Sequence, residues 1–154
     1  MRSEAGRLPQ FSLSVQYASE AVSIPTRPQF RRWVAAALQH DANVALRIVD
    51  EDEGRMLNRD FRGKDYATNV LTFAYGEEEG VLAGDIVLCA PVVEREAREQ
   101  GKDLRAHYAH LTVHGVLHMQ GFDHETEAEA REMEALEVEI LRRLRFNNPY
   151  SDPD

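Results

Sequence analysis

Apolar residues alternate with polar ones at Phe11, Leu13, Val15 and Tyr17, the period of a strand with one buried face. The period changes after Thr26. Thr26 with Gln29 forms a capping box and Pro28 suits a first turn. Phe30, Trp33, Val34, Ala37 and Leu38 then recur at helical spacing, predicting a helix of about a dozen residues. Val44, Leu46, Ile48 and the less regular Val49 predict a second strand. Residues 51–61 predict a short helix with Met56, Leu57 and Phe61 at helical spacing. Val70 to Tyr75 and Ile86 to Ala90 read as a third and a fourth strand, with the EEEG turn at 77–80 permitting a hairpin. The pairing order does not follow from the pattern.

The second half is helical. Pro91 begins one helix that ends near Gly101, and Asp103 suits the N-cap of the next. There Leu104, Tyr108, Leu111, Gly115 and His118 share one face, and Gly121 is a natural stop. Thr126 and Glu129 form a second capping box before the stripe Met133, Leu136, Ile140, Leu144. The order β-α-β-α-β-β-α-α-α predicts an α+β fold: a single domain with a central sheet of about four strands covered by helices. Residues 11–150 form that domain, with 1–10 a flexible N-terminus and 151–154 a short tail.

Composition narrows the function classes. The 154 residues fit one core, and the 43% hydrophobic and 29% charged fractions are ordinary for a globular chain. No apolar run approaches the roughly 20 residues of a bilayer span, so no membrane partner is expected. The first ten residues lack the apolar stretch of a secretory signal. Cys89 is the only cysteine, which excludes an internal disulfide and suggests a cytoplasmic protein. Set in the run IVLCA, it is expected to be a buried small hydrophobe. The net charge of −9 argues against nonspecific coating of nucleic acid, so any such substrate must be gripped locally. Arg55, Arg59, Arg62 and Lys64 form the one basic cluster that could do so, although such clusters are often only a solvated helix end.

Residues 114–124 read HGVLHMQGFDH. His114 and His118, four apart, are neighbours on one helical face with Cβ atoms about 5–6 Å apart. Two imidazoles so placed can reach one ion at roughly 2.0–2.1 Å. Gly121 permits a left-handed turn that carries His124 back towards the same point. Three nitrogen ligands with a fourth position left for water make the layout of a catalytic zinc site, with one ion per chain. His110 also stands four before His114, but only the 114/118 pair puts the glycine turn and third histidine just past the helix end. His107 and His110 are expected behind the ligands or at the core edge. Asp123 either orients a ligand or activates water, or it is simply a turn residue.

The spacing H-x3-H-x2-G-x2-H is shared with metzincin proteases. Their general-base glutamate, however, has its counterpart in Gly115, which can carry no proton. Zinc lowers the pKa of bound water to about 7 and polarises phosphoryl oxygens, so the missing base disfavours peptide hydrolysis without disfavouring hydrolysis itself.

Two blocks resemble the YbeY family of bacterial endoribonucleases. LNRDFRGKDYATNVLTF at 57–73 is similar to the family's LNxxYRxKDxPTDVLSF, and HGVLHMQGFDH to HGxLHLxGYDH. GDIVLC at 84–89 and NPY at 148–150 support them, and the resemblance spans roughly residues 43–150. It implies a helix-covered sheet, one zinc held by His114, His118 and His124, and single-strand-specific cleavage of RNA. The implied role is maturation of the 3′ end of small-subunit ribosomal RNA and ribosome quality control, with ribosomal proteins or assembly factors as partners. Arg62 matches the arginine that the family's site uses near the metal, and would be catalytic. Phe61, Ala67, Asn69 and Thr72 depart from the pattern, and the lost proline at 67 is expected to loosen the loop before the third strand. Two other classes stay in contention: a metzincin-like peptidase, and a non-enzymatic ribosome-assembly factor with structural zinc.

Overall fold

The computed structural model describes residues 8–151. Its element order is β1 (Phe11–Ala18), α1 (Arg27–Ala37), β2 (Ala42–Val49), α2 (Glu51–Arg62), β3 (Val70–Glu78), β4 (Val81–Cys89), α3 (Ala90–Gln100), α4 (Leu104–Met119) and α5 (Glu127–Arg143). Every expected element is present. The expected flexible N-terminus and C-terminal tail fall on residues outside those described, save 8–10 and 151. Gln10 is already tied to the sheet, its N–H donating to Asp41 Oδ1 at 2.8 Å.

The four strands form one sheet in the order β1-β2-β4-β3. β1, β2 and β4 run parallel, and β3 closes the edge antiparallel to β4. α1 makes the crossover from β1 to β2, and its capping box at Thr26 is formed. The β3–β4 link is a two-residue turn in which Glu79 and Gly80 both have positive φ, 53° and 80°. That is the turn whose twist matches a hairpin. The hairpin extends well beyond the expected Val70–Tyr75 and Ile86–Ala90. The outer half of β3 is exposed and that of β4 half-buried, so no hydrophobic period marks either, and a bulge between Ala74 and Gly76 breaks the register. Ala90 belongs to α3 instead of the strand.

Alternation in the strands separates two cores. Val44, Leu46, Ile48, Ile86 and Leu88 face the large core with α1, α4 and α5. Val49, Val87 and Cys89 face a smaller one on the side of α2 and α3. Cys89 is 1% exposed, as expected, and burial pushes its thiol up to about 11.

α4 is the centre of the fold. The single apolar face expected for it is too narrow, because it packs against α1, α3, α5, β3 and β4 and is buried nearly all round. Two glycines let it approach the sheet. A Cβ on Gly115 would lie 3.0 Å from Ile86 Cγ2, and one on Gly84 would lie 2.4 Å from Met119 Cγ and 3.0 Å from the Phe73 carbonyl. Met119 adjoins His118, so Gly84 helps set the height of the histidine-bearing end of α4. Gly84→Ala should therefore destabilise the protein by about 1–3 kcal/mol through overpacking. Urea unfolding measures this; an unchanged midpoint would contradict the close approach.

Candidate metal centre and active cleft

His114 and His118 project from the last turns of α4, and their rings lie parallel within 5° at a centroid separation of 6.3 Å. α4 ends at Met119, and Gly121 takes φ 105°, the positive value expected of the turn. His124 returns as its spacing suggests, with its ring 5.5 Å from that of His114 and 5.9 Å from that of His118. The three rings thus converge. Among the described residues, the donor atoms that all lie within 4.8 Å of one another are those of His118, His124 and Asp123; His114, the third expected ligand, lies beside that set and not in it. Asp123 also serves its turn, Oδ1 accepting the His124 N–H at 2.8 Å. Both readings of Asp123 therefore have a structural basis.

The donor chemistry suits a cation. His118 Nδ1 lies 3.0 Å from the Phe122 carbonyl, which can only accept, so this nitrogen carries the proton. His114 Nδ1 lies 2.6 Å from Glu137 Oε2 and donates in the same way. With Nδ1 donating, Nε2 is the atom each ring can offer to a metal. Hydrogen bonds to the far nitrogen are how metal-binding imidazoles are usually oriented.

Glu137 is the site residue that sequence reading missed. It is 0% exposed, and besides His114 it receives His110 Nε2 at 3.1 Å and the Tyr150 hydroxyl. Burial alone would raise its carboxyl pKa; hydrogen bonds from His110, His114 and Tyr150 outweigh that and hold it down at about 2. A signal was present: Glu137 follows Met133 by four and precedes Ile140 by three, a lone carboxylate on the buried face of α5. His110 lies behind the cluster as expected. His107 sits at the core edge, donating from Nε2 to Glu96 Oε1 at 2.9 Å.

Arg62, at the C-terminus of α2, lines the same open cleft of about 890 Å³ as His114, His118, Asp123 and His124. Gly63, at φ 71°, ends the helix there. The other cations of the basic cluster are disposed differently. Arg55 forms a bidentate pair with Asp65 at 2.8 and 2.9 Å, and Arg59 pairs with Asp60 at 3.2 Å. Among the described residues, Arg62 is the only arginine or lysine lining this cleft and has no ion-pair partner. The loop after it is tied down despite Ala67: Asn58, fully buried, donates from Nδ2 to the Tyr66 carbonyl at 2.7 Å, and Arg55 holds Asp65. Asn69, where the family pattern has aspartate, donates from Nδ2 to Glu96 at 3.0 Å. An aspartate there would face that carboxylate as a like charge.

Gly115 is more than an absent base. Its Cα faces Ile86 and Thr72 of the sheet, leaving no room for a longer side chain.

Known proteins resemble this chain over most of its length. The family model described as "Endoribonuclease YbeY" matches residues 15–145. A protein named endoribonuclease YbeY from Thiobacillus denitrificans is 60% identical over 143 residues, covering 92% of this chain and 97% of its own length. One of the same name from Methylobacillus flagellatus is 60% identical over 144 residues, covering 94% and 96%. The solution structure of TM1509 from Thermotoga maritima superposes with a TM-score of 0.58 at 26% identity, over 90% of this chain and 99% of that one.

Burial lowers the pKa of His107, an effect partly offset by its hydrogen bond to Glu96. The native ring is therefore neutral at pH values where the unfolded chain already binds a proton. Its contribution to stability is present above the ordinary histidine pKa of about 6.5 and declines as the pH falls below it. NMR titration of the His107 ring should give a midpoint below 6.5, the reference value. A midpoint above that value would mean that Glu96 outweighs burial.

Proposed function

The chain belongs to the endoribonuclease YbeY family, and on that premise we propose that it is a zinc-dependent, single-strand-specific endoribonuclease. Its proposed task is maturation of the 3′ end of small-subunit ribosomal RNA and ribosome quality control, in the cytoplasm, with ribosomal proteins or assembly factors as partners. The observation that carries the reading is the convergence of three imidazoles and one unpaired guanidinium on a single open cleft.

His114, His118 and His124 are the proposed ligands, with Asp123 beside them. A zinc ion held there supplies Lewis-acid polarisation of a phosphoryl oxygen and activation of water. Glu137 and the Phe122 carbonyl keep two imidazoles in the tautomer that leaves Nε2 free. Arg62 binds the phosphate and stabilises the charge that grows on its oxygens in the transition state. Among the described residues its guanidinium forms no ion pair, although Asp123, Glu125 and Glu134 line the same cleft. Catalysis by this route needs no side-chain base at 115, which suits a glycine pressed against the sheet.

The peptidase alternative lacks support on the same ground. A purely structural zinc fits poorly with a cluster that opens on a cleft and includes the exposed ring of His124. No helix among the described residues is long and apolar enough to cross a membrane.

His114→Ala should lose bound zinc and RNA cleavage together. Arg62→Glu should keep its zinc and lose cleavage by roughly a hundredfold or more. Metal analysis alongside cleavage of labelled single-stranded RNA, with casein as the control substrate, tests both. Full RNA cleavage by rigorously zinc-free protein would overturn the mechanism.

A further inference from the structure

The C-terminal segment serves two cavities. Tyr150 lines the histidine cleft, whereas Asn148, Pro149 and Ser151 line a second cavity of about 690 Å³ at the start of α4. The charged side chains of this second cavity are Lys102, Asp103, Arg105 and Arg145. Asp103 is engaged as the N-cap, its Oδ2 accepting the Ala106 N–H at 3.0 Å. Lys102 Nζ donates to the Pro149 carbonyl at 2.7 Å, which holds the segment in place while leaving the cation unneutralised. Neither Arg105 nor Arg145 has a carboxylate partner among the described residues. The guanidinium of Arg105 lies over the Phe146 ring at 5.6 Å. Three cations and one carboxylate, that of Asp103, thus line one cavity in a chain of net charge −9.

Two further features belong to the same cavity. Arg145 has φ 72°, a left-handed backbone, where the Phe146 N–H closes the end of α5 onto the Leu141 carbonyl at 2.8 Å. Glycine is the residue that such a helix end favours, so an arginine there is held at a cost in stability. His107 and His110 also line the cavity, and Nδ1 of each is buried without a partner. The His107 ring gives its Nε2–H to Glu96, so its Nδ1 is an unfilled acceptor in the cavity wall, matched to a donor such as a ribose 2′-hydroxyl and not to a phosphate oxygen.

The cavity and the histidine cleft are linked by one face of α4. The rings of His107, His110, His114 and His118 form a ladder with centroid steps of 6.4, 6.5 and 6.3 Å. Tyr150 stands beside the ladder, 47% exposed, its ring 5.3 Å from that of His110. A basic pocket, an exposed aromatic ring and a cleft that holds an arginine are elements with which proteins hold single strands.

We propose that the cavity formed by Lys102, Arg105 and Arg145 is a second phosphate site, which grips the backbone of a single-stranded RNA a few nucleotides from the phosphate at the histidine cluster. This rests on the endoribonuclease reading and adds to it a strand path over Tyr150. It gives the acidic chain the local grip on RNA that its net charge denies it elsewhere.

The test is fluorescence anisotropy with oligouridylates of about three and about nine nucleotides, at several salt concentrations. The longer strand should bind the unmodified protein about tenfold more tightly than the shorter. Arg145→Gly should remove much of that gain and lower the salt slope by about 0.7 for the lost phosphate contact. Its melting temperature should hold or rise, because glycine suits the left-handed backbone. Arg105→Glu combined with Arg145→Glu should abolish the gain. Equal affinity of both strands for the unmodified protein, or variants that bind the longer strand as tightly as it does, would overturn the proposal. So would competition by polyglutamate as strong as by unlabelled RNA, which would make this a site for acidic protein. Displacement of both strands alike by inorganic phosphate would make it a free-phosphate site and equally overturn it. Cleavage with no length-dependent gain sinks the second site alone. Neither binding nor cleavage of any RNA sinks the endoribonuclease reading and the second site with it.

Discussion

A carboxylate removed from water is tolerated only where hydrogen bonds replace those it has lost. Glu137 is removed completely, and its replacements come from three places in the chain: His110 and His114 on α4, and Tyr150 beyond the end of α5. Much of the candidate centre follows from meeting that demand. Satisfying Glu137 fixes the tautomer of His114, draws α5 against α4, and anchors the C-terminal segment beside the cleft. A hydrogen bond to a buried charge is typically worth about 1.5–3 kcal/mol, so losing one of these three would remove a large part of the stability of a small domain. Few alternative arrangements of the site are therefore affordable.

The rest of the fold delivers α4 to that carboxylate. The central helix is buried by neighbours on nearly every side, and its distance from the sheet is set by two positions without side chains, Gly84 and Gly115. The packing explanation of Gly115 and the chemical one are complementary. The sheet occupies the space in which a protease of similar histidine spacing would carry its base. Chemistry that relies on metal, water and arginine tolerates that substitution, and peptide hydrolysis of the usual kind does not. The capping box at Thr126 then starts α5 two residues after His124, which sets the phase that turns Glu137 inward.

Much of this was legible in the residues. Both capping boxes, the Asp103 N-cap, the glycine turn at 121 and the order of elements follow from local rules, and local rules decide them in the structure. The convergence of the three histidines was legible because a helix pair and a glycine turn fix it within eleven residues. The strand order was not, since pairing β2 with β4 instead of β3 is decided by long-range packing. The outer half of the hairpin carries no hydrophobic period, because its β3 side is exposed and its β4 side only half-buried. The basic cluster was read as one patch. Its dispersal into pairs with Asp65 and Asp60, leaving Arg62 the one arginine or lysine at the cleft among the described residues, depends on the turn at Gly63 and on side-chain contacts that composition does not record. Glu137 lies 23 residues from His114, the imidazole it orients, so its place on a buried helical face is the only local sign of it.

The most direct test of this account is the zinc affinity of Glu137→Gln, measured by competition with a chromophoric chelator. The glutamine keeps the size of the side chain and removes the charge that orients His114. Affinity should fall by about 10–100-fold with the helical signal retained, as for other partners that orient metal-binding imidazoles. Affinity equal to that of the unmodified protein would contradict the claim that this buried carboxylate builds the metal centre.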